Sequence, residues 1–593
     1  MTEFFATLKQ RKIVQWALAY VAAAFALIQV LDVVAQRFGW SDSIERALII
    51  ALAIGFFVTI VLAWYHGERG AQRASGMELL ILALLLTIGG AIAWRFAPSA
   101  PPSVAVPAAS ASIAEKSIAV LPFADLSPGH DQEYFSDGMA EELLNALAKV
   151  KDLKVAGRTS SFSFKGKNDD LRAIGKVLGV ANILEGSVRK QGEKVRITAQ
   201  LIRTDNDFHL WSETYDGDLS DVFALQERIA RGITEKLAVV LNGDSAQPLV
   251  KVATTNSEAY ALYLQASGIF NRREGARFSE AIAELEQALK LDPKFARAHA
   301  RLAAIYALEP IYVVDATEAS RAATEREAAL ASALDPTLAE PYAALGAMYG
   351  LAGRWTDARI ASDRSLAIDA DDVNVVFWAG VGAINSGYTK RGCELLDRVL
   401  ASEPLLPNAL LWRGIEYVYT GDLTRGETLL RRAADVGLAH VGIGLHMVEA
   451  AHGRTAEAKQ QLANGLHALA AGLAADAPAV VAAGVYGNAA EHAVAAALIE
   501  QVEAGQSGRI SAFVPYSLLQ LGESTRALSV VQQQLTSNDA LFMHVIWSPA
   551  QRATRASPEF KAFTRKVGLV DLWDRYGPPD VCKRLAPGDY ACD

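Results

Sequence analysis

The chain has 593 residues, more than one hydrophobic core normally organises, so several structural units are expected. Hydrophobic residues make up 51% of the chain and the formal net charge is −9. This acidic balance, without a basic stretch, argues against a nucleic-acid-binding protein, and only three cysteines argue against a disulfide-dense scaffold.

Three apolar runs occupy the first hundred residues, over 14–34, 47–64 and 79–94. At about 1.5 Å per residue, the first run is long enough to cross the hydrocarbon core of a bilayer, which is roughly 30 Å thick. The runs lack the polar face that a helix at the surface of a soluble domain presents to water. Residues 1–95 are therefore predicted to form three transmembrane helices.

The distribution of Lys and Arg around these runs predicts their orientation, because cytoplasmic loops are enriched in both residues. Five lie in the N-terminal tail and in the loop after the second run, against three on the opposite side. The count predicts a bacterial inner-membrane protein with a cytoplasmic N-terminus. Three spans then place the bulk of the chain in the periplasm.

A linker and an α/β domain follow in the sequence. Residues 96–116 are rich in Pro, Ala and Ser, which is typical of an extended spacer. Over 117–243, apolar runs of strand length alternate with amphipathic segments, and the order β-α-β-α-β-β-α indicates a mixed sheet with helices packed on it. The predicted elements are strand 117–123, helix 136–149, strand 153–156, helix 170–178, a hairpin of 182–189 with 194–202, and helix 222–239.

The segments SIAVLPFADLSP, QEYFSDGMAEELLNALAK and LEGSVRKQGEKVRITAQLIR carry a family resemblance. They resemble the TolB amino-terminal-like (FlgO-like) domain of proteobacterial proteins, in which tetratricopeptide repeats follow, and the likeness extends over 117–241. Relatives often carry an adenylyl or guanylyl cyclase domain, or a winged-helix DNA-binding domain, before this unit. Because this chain has three apolar runs there instead, the resemblance implies a membrane-anchored protein without a catalytic domain.

Four polar residues of the predicted sheet are open to two interpretations. Glu185, Arg189, Arg196 and Glu213 could contribute to a ligand site. Strand periodicity explains Arg189 and Arg196 more simply, as solvent-facing residues on either side of the hairpin.

Residues 257–556 are predicted to form an all-α, tetratricopeptide-like superhelix. Helix-ending motifs recur at Pro293, Pro336, Ala370 and Pro404. The last two intervals equal the tetratricopeptide period of about 34 residues, and an insertion of about nine residues around 309–315 accounts for the longer first interval. Roughly seven repeats fit between 257 and 551, and such repeats stack so that their first helices line a concave groove.

The usual groove positions of such repeats predict a partner-binding surface. They fall on Asn374, Phe377 and Asn385 in one repeat and on Asn408, Leu411, Ile415 and Tyr419 in the next. Asn374 and Asn408 lie one repeat period apart and could hydrogen-bond a peptide backbone. A solvated polar face explains the same asparagines equally well.

The C-terminal segment, 557–593, is predicted to form a capping helix and a short loop. A bridge between Cys582 and Cys592 would close that loop and stabilise it by about 2–3 kcal/mol. Such a bridge does not persist in the cytosol, so it would agree with a periplasmic location. Two cysteines without a nearby His do not make a zinc site, and Cys393 is interpreted as a small buried residue.

The sequence carries no recognisable catalytic or cofactor motif. Walker A, HExxH, GxSxG, CxxC and a post-strand GxGxxG are missing, as is the carboxylate pair that a nucleotide cyclase needs. We therefore expect no enzymatic activity, no cofactor, no metal and no nucleic-acid partner. The expected function is a membrane-anchored periplasmic scaffold that binds a peptide or protein in the repeat groove. The alternatives are a transmembrane sensor and a cyclase-related activity.

Overall fold

The computed structural model describes residues 114–167, 170–237, 248–312, 318–470, 473–505, 513–536 and 543–593, together with Tyr20, Ala24 and Leu52. The chain divides into two compact units, Met1–Ala111 and Ser112–Asp593. In the first unit the hydroxyl of Tyr20 donates a hydrogen bond to the carbonyl of Leu52, at 2.8 Å. The second unit contains an α/β domain, a series of helical pairs and a C-terminal cap.

The predicted fold class needs one correction, which concerns the three transmembrane helices. Among the described residues, no helix is both long enough and apolar enough to cross a membrane. The longest described helices have 17 residues, or about 26 Å at 1.5 Å per residue, which is shorter than a hydrocarbon core of roughly 30 Å. The three apolar runs themselves lie outside the described residues, apart from Tyr20, Ala24 and Leu52. The fold supported here is a mixed-sheet domain followed by an all-helical superhelix.

The α/β domain is built on a sheet of six described strands in the order β3-β1-β4-β5-β6, with β2 also paired to β4. β1 pairs in parallel with β3 and β4, whereas β4–β5 and β5–β6 are antiparallel. The sheet is therefore mixed, as predicted. The strands are β1 Ser117–Val120, β2 Ala124–Asp125, β3 Lys154–Val155, β4 Asn182–Gln191, β5 Lys194–Arg203 and β6 His209–Asp218.

Alternating side chains of the sheet enter two separate cores. Ile118 and Val120 of β1 are buried with the helices on one face, whereas Ala119 and Leu121 are buried with those on the other. This division follows from the period of two along a strand. The helices are α1 Glu133–Ala148 and α4 Val222–Lys236 on the first face, and α2 Arg158–Phe162 and α3 Leu171–Leu178 towards the second.

Strand β6 was not predicted from the sequence. Of its ten residues only Tyr215 is buried, so no apolar alternation marks it. By contrast, buried and more exposed residues alternate along most of β5, and Gly192 supplies the left-handed φ of +59° that the tight turn between β4 and β5 uses. An exposed edge strand leaves little hydrophobic signal in a sequence.

Eight helical pairs follow in the described part of the chain, where spacing predicts roughly seven repeats. In the first four pairs the second helix ends at Leu291, Leu334, Ile368 and Ser402, which reproduces the predicted intervals. The pairs are α5 Ser257–Asn271 with α6 Phe278–Leu291, α7 Ala296–Tyr312 with α8 Glu318–Leu334, α9 Glu340–Leu351 with α10 Trp355–Ile368, α11 Val373–Asn385 with α12 Thr389–Ser402, α13 Pro407–Tyr419 with α14 Leu423–Asp435, α15 Gly442–Ala451 with α16 Thr455–His467, α17 Ala477–Tyr486 with α18 Ala489–Gly505, and α19 Phe513–Gln520 with α20 Ser524–Thr536.

Glycines allow the two helices of a pair to approach closely. A Cβ on Gly392 would lie 2.8 Å from the carbonyl oxygen of Gly380, and a Cβ on Gly426 would lie 3.1 Å from that of Gly414. Both contacts are tighter than a side chain normally makes, so the backbones pack at a distance that only glycine permits. The same close contact between glycines therefore occurs in the fourth pair and again, one repeat later, in the fifth pair.

The C-terminal cap packs back onto the helical pairs. Trp573 Nε1 donates to the carbonyl of Ser386 (3.3 Å), and Trp547 Nε1 donates to that of Asn385 (3.0 Å). In the cap, α21 Arg552–Arg555, α22 Pro558–Lys566 and α23 Leu569–Tyr576 precede the hairpin of β7 Cys582–Ala586 and β8 Asp589–Cys592. A disulfide joins Cys582 to Cys592 across that hairpin.

We expect the disulfide to stabilise the C-terminal cap measurably. Replacing both cysteines, as Cys582→Ala/Cys592→Ala, should lower the free energy of unfolding of the cap by about 2–3 kcal/mol, because the unfolded chain regains the entropy of an open loop. Chemical denaturation followed by Trp fluorescence measures this loss. A reducing agent should produce the same loss in the parent protein and none in the double variant. An unchanged midpoint on reduction would contradict the expectation.

A buried histidine couples the stability of the later pairs to pH. His446 of α15 is 2% exposed, and its Nδ1 and Nε2 lie 2.6 and 3.2 Å from the hydroxyls of Tyr486 and Tyr516. Burial lowers the pKa of His446 from 6.5 to about 3. Between pH 6.5 and about 3, the ring therefore stays neutral in the folded state, whereas in the unfolded chain it binds a proton. Its contribution to stability is complete above pH 6.5 and falls as the pH drops towards 3.

The variant His446→Gln should flatten this pH dependence. Between pH 6.5 and 3, one such histidine lowers the free energy of unfolding by up to about 1.4 kcal/mol per pH unit. Urea denaturation at pH 7.5 and 5.0 measures the difference for the parent and the variant. The matched control is His467→Gln, since His467 is exposed and should leave the slope unchanged. Equal slopes in all three proteins would refute the assignment.

Candidate ligand-binding groove

The α/β domain and the first helices of the helical pairs together enclose an open cavity of about 2270 Å³. From the domain, α1 and α2 contribute Glu141, Asn145 and Arg158 to its wall. From the superhelix, first helices α5, α7, α9, α11 and α13 contribute residues. The cavity therefore runs along the first helices, and the α/β domain forms its other side.

The domain contacts the first two pairs through acidic residues of α1. Asn271 Nδ2 donates to both carboxylate oxygens of Glu141, at 2.8 and 2.9 Å. Arg297 binds Glu142 with two hydrogen bonds of 2.8 and 2.5 Å. Because Glu142 is buried, this bidentate pair stabilises the contact where water screens it little.

A second contact lies at the far side of the cavity, where α2 meets the end of α12. Glu403 is 1% exposed, and its carboxylate accepts hydrogen bonds from the backbone N–H groups of Thr159 (2.7 Å) and Ser160 (2.6 Å). Ser160 Oγ accepts from the N–H of Leu405 at 3.0 Å. Burial raises the pKa of Glu403, whereas the hydrogen bonds from Ser160 and Thr159 act in the opposite sense.

Gly157 makes room for this carboxylate. A Cβ at Gly157 would lie 2.2 Å from the carboxyl carbon of Glu403, which is far shorter than a Cβ's contact with a non-bonded atom. The N–H of Gly157 also donates to the carbonyl of Ser402 at 2.8 Å. The chain therefore needs glycine here for the domain to reach the repeats.

Six of the seven predicted groove residues line the cavity. They are Asn374, Phe377, Asn385, Asn408, Leu411 and Ile415, whereas Tyr419 lies outside the lining. Asn385 is already engaged, because its Oδ1 accepts from the N–H of His544 in the cap at 3.1 Å. Asn408 makes no side-chain hydrogen bond to any residue that the structure describes. The structure thus brings Asn374 and Asn408, which are one repeat period apart, to one surface.

The arginine-rich part of the cavity was not predicted from the sequence. Arg297 and Arg301 of α7 flank the ring of Tyr263, with guanidinium carbons 5.1 and 5.8 Å from its centroid. Arg301 forms an ion pair with Glu340 at 2.7 Å. The two arginines are four residues apart, which places both on one face of a helix. This spacing was the signal in the sequence that could have indicated the cluster.

The polar residues of the sheet do not form a shared site. Arg196 pairs with Asp216 at 2.6 Å, and Arg189 Nε donates to the carbonyl of Leu126. Glu213 accepts from Tyr215, on the opposite face of the sheet from Arg196. Across the described ranges, no three His, Cys, Asp or Glu side chains are grouped so that they could hold a metal ion.

Comparison with protein families identifies two segments. Residues 114–231 match the family described as HilA/YgeH-like transcriptional regulator, second domain. Residues 273–308 match the tetratricopeptide (TPR) repeat family, which confirms the predicted repeats. The match of the α/β domain is to the regulator family and gives no support to the expected TolB-like resemblance.

Individual relatives cover limited parts of the chain. A putative adenylate cyclase 3 of Rhizobium meliloti (strain 1021) is 37% identical over 216 residues, or 36% of this chain. The chain spans 37% of the length of that curated relative.

Solved structures match at low similarity. The Pseudomonas aeruginosa pilF protein is 17% identical, with 36% of this chain and 93% of that one covered and a TM-score of 0.29. PilW, a type IV pilus biogenesis factor, is 21% identical, with 36% and 94% covered and a TM-score of 0.28. YrrB, a TPR protein with an unusual peptide-binding site, is 17% identical, with 33% and 92% covered and a TM-score of 0.22. These scores are too low to add to the family match.

The contact between Glu403 and α2 can be tested by Glu403→Gln. The amide presents one acceptor instead of two and an NH₂ group that meets an N–H donor, so docking of the α/β domain should weaken by about 1–3 kcal/mol. Hydrogen exchange at the amides of Thr159 and Ser160 should accelerate accordingly. The control is Glu394→Gln, an exposed position on the same helix. Unchanged exchange in Glu403→Gln would refute the role of this carboxylate.

Proposed function

We propose that this chain is a protein–protein interaction scaffold whose repeat groove binds a peptide or protein partner. The observation that carries the proposal is the cavity of about 2270 Å³ along the first helices. Pockets for small molecules usually hold about 300–1000 Å³, so a cavity of this size suits an extended chain better than a metabolite. The family match to TPR repeats supports the same function.

The lining has the chemistry that an extended peptide requires. Asn374 and Asn408 offer amide groups to a backbone, and the half-buried Phe377 offers apolar contact to side chains. Leu411 and Ile415 also line the cavity, but each is only 3% exposed and belongs mainly to the core. Peptide backbones need donors and acceptors at regular intervals, and apolar side chains gain affinity from burial. The alternation of both kinds of residue along α11 and α13 supports a peptide ligand over a purely apolar one.

The α/β domain acts in this proposal as a second wall of the binding site. It contacts the repeats at Glu141 and Glu142 and again at Glu403, so a partner in the cavity touches both parts. The likeness to a regulator domain supports a regulatory role for this wall. A TolB amino-terminal-like character of residues 117–241 is part of the same proposal.

A cyclase-related activity is the competing proposal, motivated by the name of one relative. The shared part covers 37% of that protein, so its name alone assigns no activity to this chain. We propose a non-enzymatic scaffold. Clear magnesium-dependent formation of cyclic AMP by the purified chain would overturn this part of the proposal.

We further propose that the unit Ser112–Asp593 works in an oxidising compartment, such as the bacterial periplasm. The bridge between Cys582 and Cys592 supports this location, because reducing conditions in the cytosol keep most thiols free. Alkylation of free thiols in intact cells tests it. Labelling of all three cysteines without prior reduction would contradict the proposal.

The binding site can be tested by photo-crosslinking in cells. A photoreactive amino acid at position 408, in the cavity, should capture a defined partner that mass spectrometry identifies. The same residue at position 464, exposed on α16, should capture none of it. Capture at both positions alike, or at neither, would argue against the groove as the binding site.

The identified partner then allows a quantitative comparison. Asn408→Ala and Phe377→Ala should each weaken its binding at least tenfold, which corresponds to about 1.4 kcal/mol or more. Asn464→Ala should leave the affinity unchanged. Equal affinities for all variants, measured by calorimetry, would refute the proposed lining.

A further inference from the structure

Arg273 lies between α5 and α6 in an unusual backbone conformation. Its φ is +56°, in the left-handed region that a long side chain rarely adopts. Such conformations persist only where the surroundings hold them, and they concentrate at functional positions. Here the conformation places the side chain among the residues that line the cavity.

Aromatic rings hold the guanidinium in place. Its carbon lies 4.3 Å from the ring centroid of Phe270 and 5.9 Å from that of Trp378. Nη1 donates to the carbonyl of Phe270 (3.3 Å), and Nη2 donates to Oδ1 of Asn374 (3.0 Å). Both acceptors are neutral, so the positive charge is oriented but not compensated.

The neighbouring arginines of the cavity, in contrast to Arg273, are each paired with a carboxylate. Arg158 pairs with Glu141, Arg297 with Glu142 and Arg301 with Glu340. In contrast, no carboxylate within the described ranges forms an ion pair with Arg273. Burial lowers the pKa of Arg273 to about 10, so the group is still charged at neutral pH. A desolvated cation without a counter-ion is costly, and an anionic ligand would remove that cost.

We propose that Arg273 binds a carboxylate group of the ligand that occupies the groove, with Asn374 as its orienting neighbour. The inference rests on the proposed function, because it assigns the chemistry of the peptide in that groove. A guanidinium presents parallel N–H donors that match the two oxygens of a carboxylate. Phe377 and Trp378, which also line the cavity, contact the part of the ligand next to that group.

The surrounding charges favour a carboxylate over a phosphate. Glu340 contributes a negative potential at Arg273, while Arg301 and Arg158 contribute positive ones. Arg301 is paired with Glu340 and Arg158 with Glu141, so among these three neighbouring arginines only Arg273 has no carboxylate partner in the described ranges. A single cation matches a monoanion, whereas a dianionic phosphate would keep a second negative charge without a partner there.

Pools of random decapeptides without Asp or Glu, acetylated at the N-terminus, test the inference on the full chain. The first pool has a free C-terminal carboxylate. The second is amidated and carries one Glu at its fifth position, and the third is amidated with Gln there. Retention on the immobilised protein, quantified by mass spectrometry, should be at least tenfold higher for the first or the second pool than for the third. The pool that is retained identifies the source of the carboxylate.

Variants separate a binding role of Arg273 from a structural one. Arg273→Gln should remove the preference for carboxylate peptides, and Arg273→Lys should retain part of it. Arg277→Gln is the matched control, because Arg277 is exposed, lies outside the cavity lining and is paired with Glu274 and Glu280. Thermal unfolding of Arg273→Gln should be unchanged or shifted upward, since an uncompensated charge is removed. A downward shift comparable to that of a core variant would assign Arg273 a structural role and overturn the inference.

The outcomes of the peptide experiment separate the two proposals. Equal retention of all three pools would overturn the carboxylate inference and leave peptide binding by the groove intact. Retention of none would overturn peptide binding and the inference with it. A carboxylate preference that persists in Arg273→Gln would overturn the assignment to this residue alone.

Discussion

The arrangement of the second unit depends on one buried carboxylate. Glu403, at the end of a repeat helix, accepts hydrogen bonds from two backbone N–H groups that lie 244 and 243 residues earlier in the chain. A buried charge needs such partners, and two N–H groups without them would be equally costly. Because each side satisfies the other, the α/β domain is held across the groove. Together with the contacts of Glu141 and Glu142, this contact places the α/β domain along the cavity.

Two different parts of the chain, the repeats and the α/β domain, form the walls of the groove. The repeats supply a regular surface of amide and apolar side chains, and the α/β domain supplies acidic residues that neutralise some of the arginines between them. Glu141 and Glu142 engage Asn271 and Arg297 of the repeats, so these two groups are not available to a ligand while the domain is docked. Arg273, next to Asn374 and Trp378, forms no ion pair with a carboxylate in the described part of the chain.

Several elements could be predicted because their signals are local. The alternation of apolar residues along most of β5 and the left-handed Gly192 mark the hairpin, and the motifs before Pro293, Pro336 and Pro404 mark helix ends. Edge strand β6 and the five-residue helix α2 escaped prediction, since one is mostly exposed and the other is short and polar. Helix α2 nevertheless provides the contact to Glu403.

The repeats with their period and the mixed sheet could be predicted from the sequence. These features follow from periodicity and from the conformational limits of proline and glycine, which act over a few residues. Three features are visible only in the tertiary structure: the sheet domain lies across the groove, Asn385 binds the cap, and Arg273 has no carboxylate partner among the residues described. Each of these depends on pairing between groups far apart in the chain, which local patterns do not encode.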